Sequence, residues 1–241
     1  MIVFSPLRYQ SKIDIFPLPV SKKTHLLISI VGTIGTIDDL IENLHTQKDK
    51  LVKTILYNFG LNEGDAKIKF GSVFAGINGA PYQSQKYIDN GEWRLITIKN
   101  INDNGFDASN VSFIKDEDVI PNTKLSKGDL LLTLTGNVGR VGIVDRDHCL
   151  LNQRVLKLRS QSMAYLLGYC LKYRHEMEIL ANGAAQKNLG TGNLYSLSVH
   201  NSKEEIRDFS RYDALYNRIL LLKEKIFILQ KCKSELLEKY F

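Results

Sequence analysis

Two stretches near the ends of the chain repeat apolar residues in alternating steps of four and three. This spacing is typical of a helix that packs along a seam against another helix. The first stretch covers residues 26–59 and the second covers 203–241, and a single lysine, Lys48 or Lys233, interrupts each. Each stretch would form a helix roughly 50 Å long at 1.5 Å per residue. The spacing therefore predicts two long helices joined through their apolar seams.

A short extended segment leads into each of the two helices, "SKIDIFPLPVSK" before the first and "LYSLSVHNSKEE" before the second. The two blocks align without gaps at a shift of 181 residues, which places Ile13 on Leu194, Phe16 on Leu197 and Leu18 on Val199. Long amphipathic helices align easily by chance, so the matching leading segments carry the argument. They indicate that a strand-then-helix unit is used twice.

A different kind of sequence lies between the two copies, over residues 61–200. The segments "EWRLITIKNIN", "NVSFI" and "GDLLLTLTG" are rich in β-branched and aromatic residues, and turn signals such as "DNG" and "PNT" separate them. Residues 162–180 form the one clearly helical stretch. The chain is therefore predicted to be an α+β protein, with a mixed α/β globular domain of ordinary size flanked by two long helices.

The composition is that of a globular protein, with 44% apolar and 24% charged residues. No uninterrupted apolar run has the length of a membrane span and the start lacks the features of a signal peptide, so we expect no membrane and a cytoplasmic location. Cys149, Cys170 and Cys232 show no CxxC spacing, so we expect buried thiols and neither a disulfide nor a zinc site.

The positive charge of the chain is unevenly distributed. The net charge is +6, with 6 Lys and Arg against 9 Asp and Glu in residues 61–118, but 10 against 5 in residues 119–200. A basic pI permits a polyanionic partner without establishing one. Any basic face is expected to come from the second stretch.

Glycines at 136, 139 and 142 follow an apolar run in "GDLLLTLTGNVGRVGIV". A phosphate-binding loop would continue into GK[ST] or open a helix, whereas here the strand-like "IVDRDHCLLNQRVLKL" follows. The spacing predicts a strand, a turn with Gly136 and Asn137 at positive φ, and a returning strand. The histidines have no partners at metal-ligand spacing, and we expect no catalytic residues, no metal ligands and no cofactor.

Polar side chains of the kind that read bases cluster near the predicted turns. Arginine can form two hydrogen bonds to guanine, and asparagine or glutamine to adenine, while lysine meets phosphates. Ordinary solvated loops are the alternative for each group. The candidates for DNA contact are Asn137, Arg140, Asn152, Gln153, Arg154, Gln186, Lys187 and Asn188.

Four blocks of the sequence resemble, in order, the target recognition domain of the DNA specificity (S) subunits of type I restriction-modification systems. They are "WRLITIKNINDNG", "LSKGDLLLTLTGNVGRVGIV", "LNQRVLKLR" and "NGAAQKNLGTGNLYSLSV". The repeated helices resemble the central and distal coiled-coil regions of the family. The resemblance divides the chain into a tail of a preceding recognition-domain-like segment (1–25), a central coiled-coil helix (26–60), a target recognition domain (61–200) and a distal coiled-coil helix (201–241).

The sequence departs from this family in two respects. Members commonly enter the helix through a proline pair followed by Glu-Gln, whereas Pro17 and Pro19 stand here without the acid-amide pair and the second segment has no proline. Full-length members hold two recognition domains, and this chain has one. It resembles a half-subunit.

The resemblance implies a non-catalytic subunit that binds double-stranded DNA and reads half of a bipartite site. It implies docking of modification subunits, which use S-adenosylmethionine to methylate adenine, and of restriction subunits, which use ATP. The helices are expected to pair antiparallel, and two chains to pair through them as a homodimer that reads a palindromic site. The residues expected to pair the helices are Ile34, Ile37, Ile41, Leu44, Leu51, Leu215, Ile219, Leu222, Ile226 and Leu229.

Two other functions stay open on the sequence alone. One is a coiled-coil scaffolding or protein-binding module without DNA affinity. The other is a standalone nucleotide-binding enzyme, which would need a ligand at Gly136–Gly142. Lys48 and Lys233 either set the register of the helices, at some loss of stability, or extend to solvent.

Overall fold

A computed structural model of the chain describes residues 22–183 and 187–241. The leading segment of the first repeat and most of the tail predicted for residues 1–25 lie outside the described residues, and so does Gln186. In chain order the helices and strands are α1 (Lys22–Leu61), β1 (Ile68–Lys69), β2 (Ala75–Asn78), β3 (Trp93–Ile96), β4 (Ile101–Asn102), β5 (Gly105–Phe106), β6 (Ser112–Ile114), β7 (Lys124–Leu125), β8 (Leu130–Thr133), β9 (Val141–Ile143), β10 (Cys149–Leu151), β11 (Val155–Arg159), α2 (Met163–Lys172), α3 (Arg174–Leu180), α4 (Thr191–Ser196), β12 (Ser198–Val199), α5 (Lys203–Asp208) and α6 (Asp213–Tyr240).

Two four-stranded sheets form the centre of the region between the long helices. One has the strand order β6-β3-β10-β7 and the other β2-β11-β8-β9, with two further strand pairs, β1-β12 and β4-β5. The pairing of β3 with β10 is parallel, and the other named strand pairs are antiparallel. Helix and sheet therefore combine as the sequence predicted, and the mixed α+β class is confirmed.

Strand β8 is buried on both of its faces, because it lies between the helices and the other sheet. Leu130 and Leu132 point into a core shared with α2 and the long helices, together with Leu134 just beyond the strand. Leu131 points to the opposite side, into the core between the two sheets. A strand buried on both faces reads as a continuous apolar run, which explains the sequence "LLLTL".

The long helices α1 and α6 run antiparallel beside each other. Near the carboxyl end of α1, the Phe59 ring lies 4.9 Å from Tyr165 and 6.4 Å from Phe209, which directly precedes α6. Towards the other end, Lys233 of α6 bonds Asp38 of α1 at 2.6 Å. The early part of one helix therefore faces the late part of the other.

The prediction of one continuous helix over residues 203–241 is wrong. Helix α5 ends at Asp208, a 3₁₀ turn covers Phe209–Tyr212, and α6 begins at Asp213. Tertiary contacts hold this break, since Phe209 is buried in the core and Asp213 accepts hydrogen bonds from the Ser162 hydroxyl at 2.9 Å and the Ala164 N–H at 2.8 Å. The helical stretch predicted for 162–180 is likewise divided, between α2 and α3 at Tyr173.

Side-chain contacts fasten α6 to the sheets. The Tyr216 hydroxyl donates to the Gly128 carbonyl at 2.8 Å. Lys223 bonds the carboxylate of Asp145 at 2.9 Å, and Arg146 bonds the same carboxylate at 2.9 Å. Since Asp145 is 5% exposed and the Lys223 side chain 13%, this ion pair is almost wholly removed from water.

The three cysteines differ in burial. Cys149 and Cys170 are buried, and burial raises the pKa of each thiol to about 12. Cys232 on α6 is exposed, so the prediction of buried thiols is wrong for this residue.

Helix α1 is apolar enough, by length and composition alone, to cross a membrane. Its most apolar stretch of 18 residues is 11% buried within the chain. This stretch contains glycine, serine, threonine and acidic residues, so the search for uninterrupted apolar runs did not detect it. Length and composition are weak evidence for a membrane span.

Candidate nucleic-acid interface

The glycine-rich segment forms the antiparallel hairpin that its spacing predicted. Strands β8 and β9 pair with Leu132 opposite Val141. Positive φ falls on Gly136 (75°) and Gly139 (79°), and not on Asn137 as the sequence suggested. The Thr133 hydroxyl donates to the Asn137 carbonyl and accepts from the Arg140 N–H, so one buried side chain fixes the tip. Asn137 itself is exposed at the turn.

Arg140 is held by a carboxylate that the sequence analysis did not single out. Its guanidinium donates two hydrogen bonds to Asp103, at 3.1 and 2.6 Å. Arg174 at the start of α3 donates to the same carboxylate at 2.9 Å, and the hydrogen bonds from Arg174 and Arg140 lower the pKa of Asp103. Asp103 lies in the β4–β5 turn, distant in sequence from both arginines, so no local pattern could have identified the cluster.

Three loops from separate parts of the sequence meet at the end of β8. The Leu134 N–H donates to the Arg154 carbonyl at 3.2 Å, and the Gly136 N–H donates to the Lys187 carbonyl at 2.9 Å. The Thr135 hydroxyl donates to the side chain of Asn188 at 2.8 Å. The structure therefore brings together four of the predicted residues, which we call the loop cluster: Asn137, Arg154, Lys187 and Asn188.

The other two predicted residues of this region, Asn152 and Gln153, line a cleft beside the loop cluster. The cleft has a volume of about 500 Å³ and its floor includes Tyr82 and Leu95. Arg154 lies at its edge and belongs to both features. We call this feature the polar cleft, and its polar and aromatic lining is Tyr82, Tyr87, Thr97, Lys99, Asn100, Asp107, Asn110, Ser112, Asn152, Gln153 and Arg154. The sequence analysis did not predict Lys99 and Asn110. Each lies in a connection after a strand, and no regular spacing in the sequence relates the two residues.

Most cations of the basic stretch, residues 119–200, are paired with carboxylates of the same chain. Of the ten Lys and Arg residues in 119–200, seven lie within 4.0 Å of a carboxylate: Lys127, Arg140, Arg146, Lys157, Arg159, Lys172 and Arg174. Lys124 lies over the Trp93 ring, 4.4 Å from its centroid. Within the described residues, the cations left without an ion pair in this stretch are Lys124, Arg154 and Lys187. Two of these three belong to the loop cluster.

Helices α1 and α6 pack against each other within the same chain, and all ten residues predicted to pair them are at least half-buried. Ile219, Leu222 and Ile226 are buried, whereas the other seven are half-buried: Ile34, Ile37, Ile41, Leu44, Leu51, Leu215 and Leu229. Lys233 crosses to Asp38 of the other helix, as expected of a residue that sets register. Lys48 bonds its own neighbour Asp49 at 3.4 Å.

Comparison with known proteins gives the chain a family. Residues 62–229 match the model of the type I restriction modification DNA specificity domain. The S subunit of a type I restriction-modification system from M. genitalium has a similar structure, with a TM-score of 0.59 and 14% identity over 91% of this chain and 60% of that one. At this identity the similarity supports the fold alone.

Two further structures show weaker similarity. One concerns complex assembly and conformational transition of the type I R-M system (TM-score 0.49, 12% identity, 92% of this chain and 59% of that one). The other is the HsdS subunit from Thermoanaerobacter tengcongensis (TM-score 0.47, 17% identity, 90% and 57%). No curated protein matches the chain.

The family model covers well over half of the chain, and its range, 62–229, includes all but the first residue of the predicted recognition domain, 61–200. The chain spans about 60% of the length of the first structure it resembles. Specificity subunits of this family are non-catalytic, and catalysis resides in other subunits. The chain belongs to the family of type I restriction-modification DNA specificity subunits, with one recognition domain.

Proposed function

We propose that this chain binds double-stranded DNA sequence-specifically and reads one half of a bipartite site. The observation that carries the proposal is the loop cluster, where two cations without ion pairs stand beside the exposed side chain of Asn137. Free cations supply the phosphate attraction, and exposed amides and guanidinium groups supply base recognition. Loops held by backbone hydrogen bonds to β8 present these groups with little loss of conformational freedom.

The two helices act as a coiled-coil spacer in this proposal. Helix α1 has 40 residues, which corresponds to a length of about 60 Å. The recognition domain is attached at one end of the helix pair, by the buried contacts of Phe59 and the Tyr216–Gly128 hydrogen bond. A rigid spacer would fix the distance between two recognition domains on a duplex, and hence the spacing of the half-sites.

The second recognition domain would come from a second copy of the chain. Helices α1 and α6 pack against each other within one chain, so pairing of two copies would use other faces of the helices. Exposed apolar side chains available for this are Leu26, Ile28, Val31, Leu40, Ile228 and Leu237. Light scattering at tens of micromolar tests the pairing, and a strict monomer in the presence of the modification subunit would refute it.

Methyltransferase and restriction subunits are the proposed protein partners, and the cytoplasm is the proposed location. Membership of the specificity-subunit family supports this assignment. The apolar face of α1 is proposed to serve helix pairing and not membrane insertion, because α1 packs against α6.

Selection of bound duplexes from a random library tests the DNA-binding proposal. After the site is identified, fluorescence anisotropy over a series of salt concentrations measures the contribution of each cation. Arg154→Ala and Lys187→Ala should each weaken binding and reduce the slope of log K against log salt by about 1. Lys225→Ala, which removes an exposed lysine of α6 that has no ion pair among the described residues, should leave both quantities unchanged.

The same assay separates this proposal from a protein-binding scaffold. A chain that binds no duplex at low salt, alone or with a methyltransferase subunit, would favour the scaffold. Binding that persists with an unchanged salt slope in both the Arg154 and Lys187 variants would show that DNA contacts a different surface. Sequencing of methylated adenines in cells that carry the subunit would give the target independently.

A further inference from the structure

Asn152, at the base of the polar cleft, is held by its backbone on both sides. Its N–H donates to the Ile96 carbonyl at 3.0 Å, and its carbonyl accepts from the Val155 N–H at 3.1 Å. Gly79 packs against it so closely that a Cβ at Gly79 would lie 2.1 Å from the Asn152 carbonyl oxygen. The position of Asn152 is therefore fixed without any contribution from its side chain.

The side chain of Asn152 has no hydrogen-bond partner within the described residues. The residue is 9% exposed. Among the described residues, every fully buried side-chain nitrogen or oxygen has a hydrogen-bond partner. The amide of Asn152 must consequently reach solvent, and the polar cleft is the cavity that it lines. A recessed amide is costly to leave unpaired, so it requires water or a ligand as its partner.

Hydrogen bonds of Asn100 hold another part of the cleft lining in place. The Asn100 side chain accepts from the Thr97 N–H and donates to the carbonyls of Asp107 and Asn110, all at 3.0 Å. These bonds join two separate segments of the lining. The arrangement is a preformed cavity of the size typical of small-molecule sites, which are several hundred Å³.

Aromatic rings and cations complete the lining. The Tyr82 hydroxyl bonds Thr123 at 2.7 Å and the Tyr87 hydroxyl donates to the Tyr82 carbonyl at 3.2 Å, so hydrogen bonds hold both aromatic residues in place in the lining. Lys99 and Arg154 are exposed and have no ion pair within the described residues. Asp107 is the one carboxylate in the lining, and its Oδ1 accepts from the Ser109 N–H at 2.9 Å.

These groups match the parts of a nucleotide. An amide offers a donor and an acceptor to the adenine edge, a tyrosine ring offers a stacking surface, and Lys99 and Arg154 offer charges to a phosphate. A base inside a duplex is read by side chains that protrude into a groove, whereas Asn152 is recessed. The ligand has to enter the protein, as an unstacked base does.

We propose that the polar cleft takes one unstacked nucleotide, with its adenine edge on the Asn152 amide and its phosphate near Lys99 and Arg154. This inference rests on the proposed DNA-binding function and identifies Asn152 as a residue that determines specificity. The nucleotide comes from a single strand or from a base that has left the duplex stack, and the experiment distinguishes the two sources.

Binding of labelled single-stranded pentamers to the full chain tests the cleft directly. The probes are thymidine pentamers whose central position is adenine, thymine or an abasic site. The adenine probe should bind about tenfold more tightly than the abasic probe, the value of one good two-pronged contact. Asn152→Ala should abolish this preference and leave the abasic affinity unchanged, whereas Lys99→Ala should weaken all three probes alike.

Two variants keep the test decisive. Asn193→Ala removes an exposed asparagine of α4 outside the cleft and should retain the tenfold preference. Asn152→Asp keeps the shape of the side chain but loses the donor, so it should lose the adenine preference while the thermal unfolding midpoint stays close to that of the parent. Equal binding of adenine and abasic probes, or the same loss in Asn193→Ala, would overturn the proposal.

A duplex arm separates the two sources of the nucleotide. In the selected duplex, the base next to each adenine of the bound half-site is replaced in turn by 2-aminopurine, whose fluorescence rises when the neighbouring adenine leaves the stack. A rise at one position, absent in Asn152→Ala, would assign the cleft to an extrahelical base. Tight binding of the duplex together with equal binding of all pentamers would refute the cleft and leave the proposed DNA-binding function intact.

Discussion

Replacement of Asp145 by alanine should destabilise the chain far more than the loss of a surface ion pair. Asp145 is 5% exposed and accepts hydrogen bonds from Arg146 and from Lys223 of α6, both at 2.9 Å. Burial lowers the pKa of Lys223, and the charge of Asp145 opposes that effect. Without the carboxylate the lysine is a buried charge with no counter-ion, which costs about 3–5 kcal/mol.

A double-mutant cycle separates this effect from a simple loss of packing. Lys223→Met removes the buried charge and leaves Asp145 paired with Arg146, so it should cost about 1 kcal/mol, a typical value for one substitution. In the Asp145→Ala, Lys223→Met double variant the uncompensated charge of Lys223 is gone, while Arg146 lacks its carboxylate partner just as it does in Asp145→Ala alone. The double variant should therefore recover about 2 kcal/mol relative to the sum of the single changes, a normal coupling for residues in contact.

Urea unfolding followed by circular dichroism measures all four free energies of unfolding. Asp147→Ala is the matched control, because this exposed aspartate, two residues further along, bonds an exposed lysine at 3.3 Å. The control should lose less than about 1 kcal/mol. A coupling energy below about 0.5 kcal/mol, within the additivity of independent sites, would refute the view that this ion pair joins α6 to the recognition domain.

Three further predictions concern the hairpin, the buried thiols and the helix pair. Gly139→Ala should lower the stability of the fold by about 1–3 kcal/mol, because φ is 79° and the new Cβ would lie 2.9 Å from the Arg174 side chain. Gly192→Ala, in an open position of α4, should not destabilise the chain, and thermal unfolding compares the two variants. Burial raises the pKa of Cys170 on folding from 9.0 to about 12, so the stability that this thiol contributes is complete below pH 9 and is lost as the pH rises towards 12. The loss at pH 10 should be about 1 kcal/mol, and Cys170→Ala should show a shallower decline in stability by urea unfolding between pH 8 and 10. Lys233→Ala should cost less than about 1 kcal/mol by urea unfolding, because both partners of its bond to Asp38 are partly exposed, and a larger loss would contradict this assignment.

The features that could be predicted from the sequence depend on local periodicity. The heptad spacing placed α1 to within four residues of its observed start, and the glycine spacing predicted the β8–β9 hairpin. Both features form as predicted because residues close in sequence determine them: the repeated apolar residues determine the helix, and the turn glycines determine the hairpin. The same reasoning failed at Phe209–Tyr212, where burial of Phe209 and the hydrogen bonds of Asp213 interrupt an otherwise continuous helical pattern.

The residue types of the candidate interface could be predicted from the sequence, but which of its cations are free of ion pairs could not. Counts of charge identified residues 119–200 as the basic stretch, yet seven of its ten cations face carboxylates in the fold. Pairing with Asp103 depends on contacts between segments far apart in sequence. The polar cleft has the same origin, since Lys99, Asn110 and Asn152 come from three separate segments.

The hydrogen bonds between Asp103 and the guanidinium groups of Arg140 and Arg174 alter the free energy that these two arginines could contribute to DNA binding. A guanidinium that is paired with a carboxylate has already lost most of its counter-ions and bound water, so a phosphate that reaches it has to displace the aspartate. Such a contact is an exchange of one anion for another. It would release fewer ions into solution than a contact made by Lys187, so the salt dependence of binding would understate the number of phosphates that this hairpin touches.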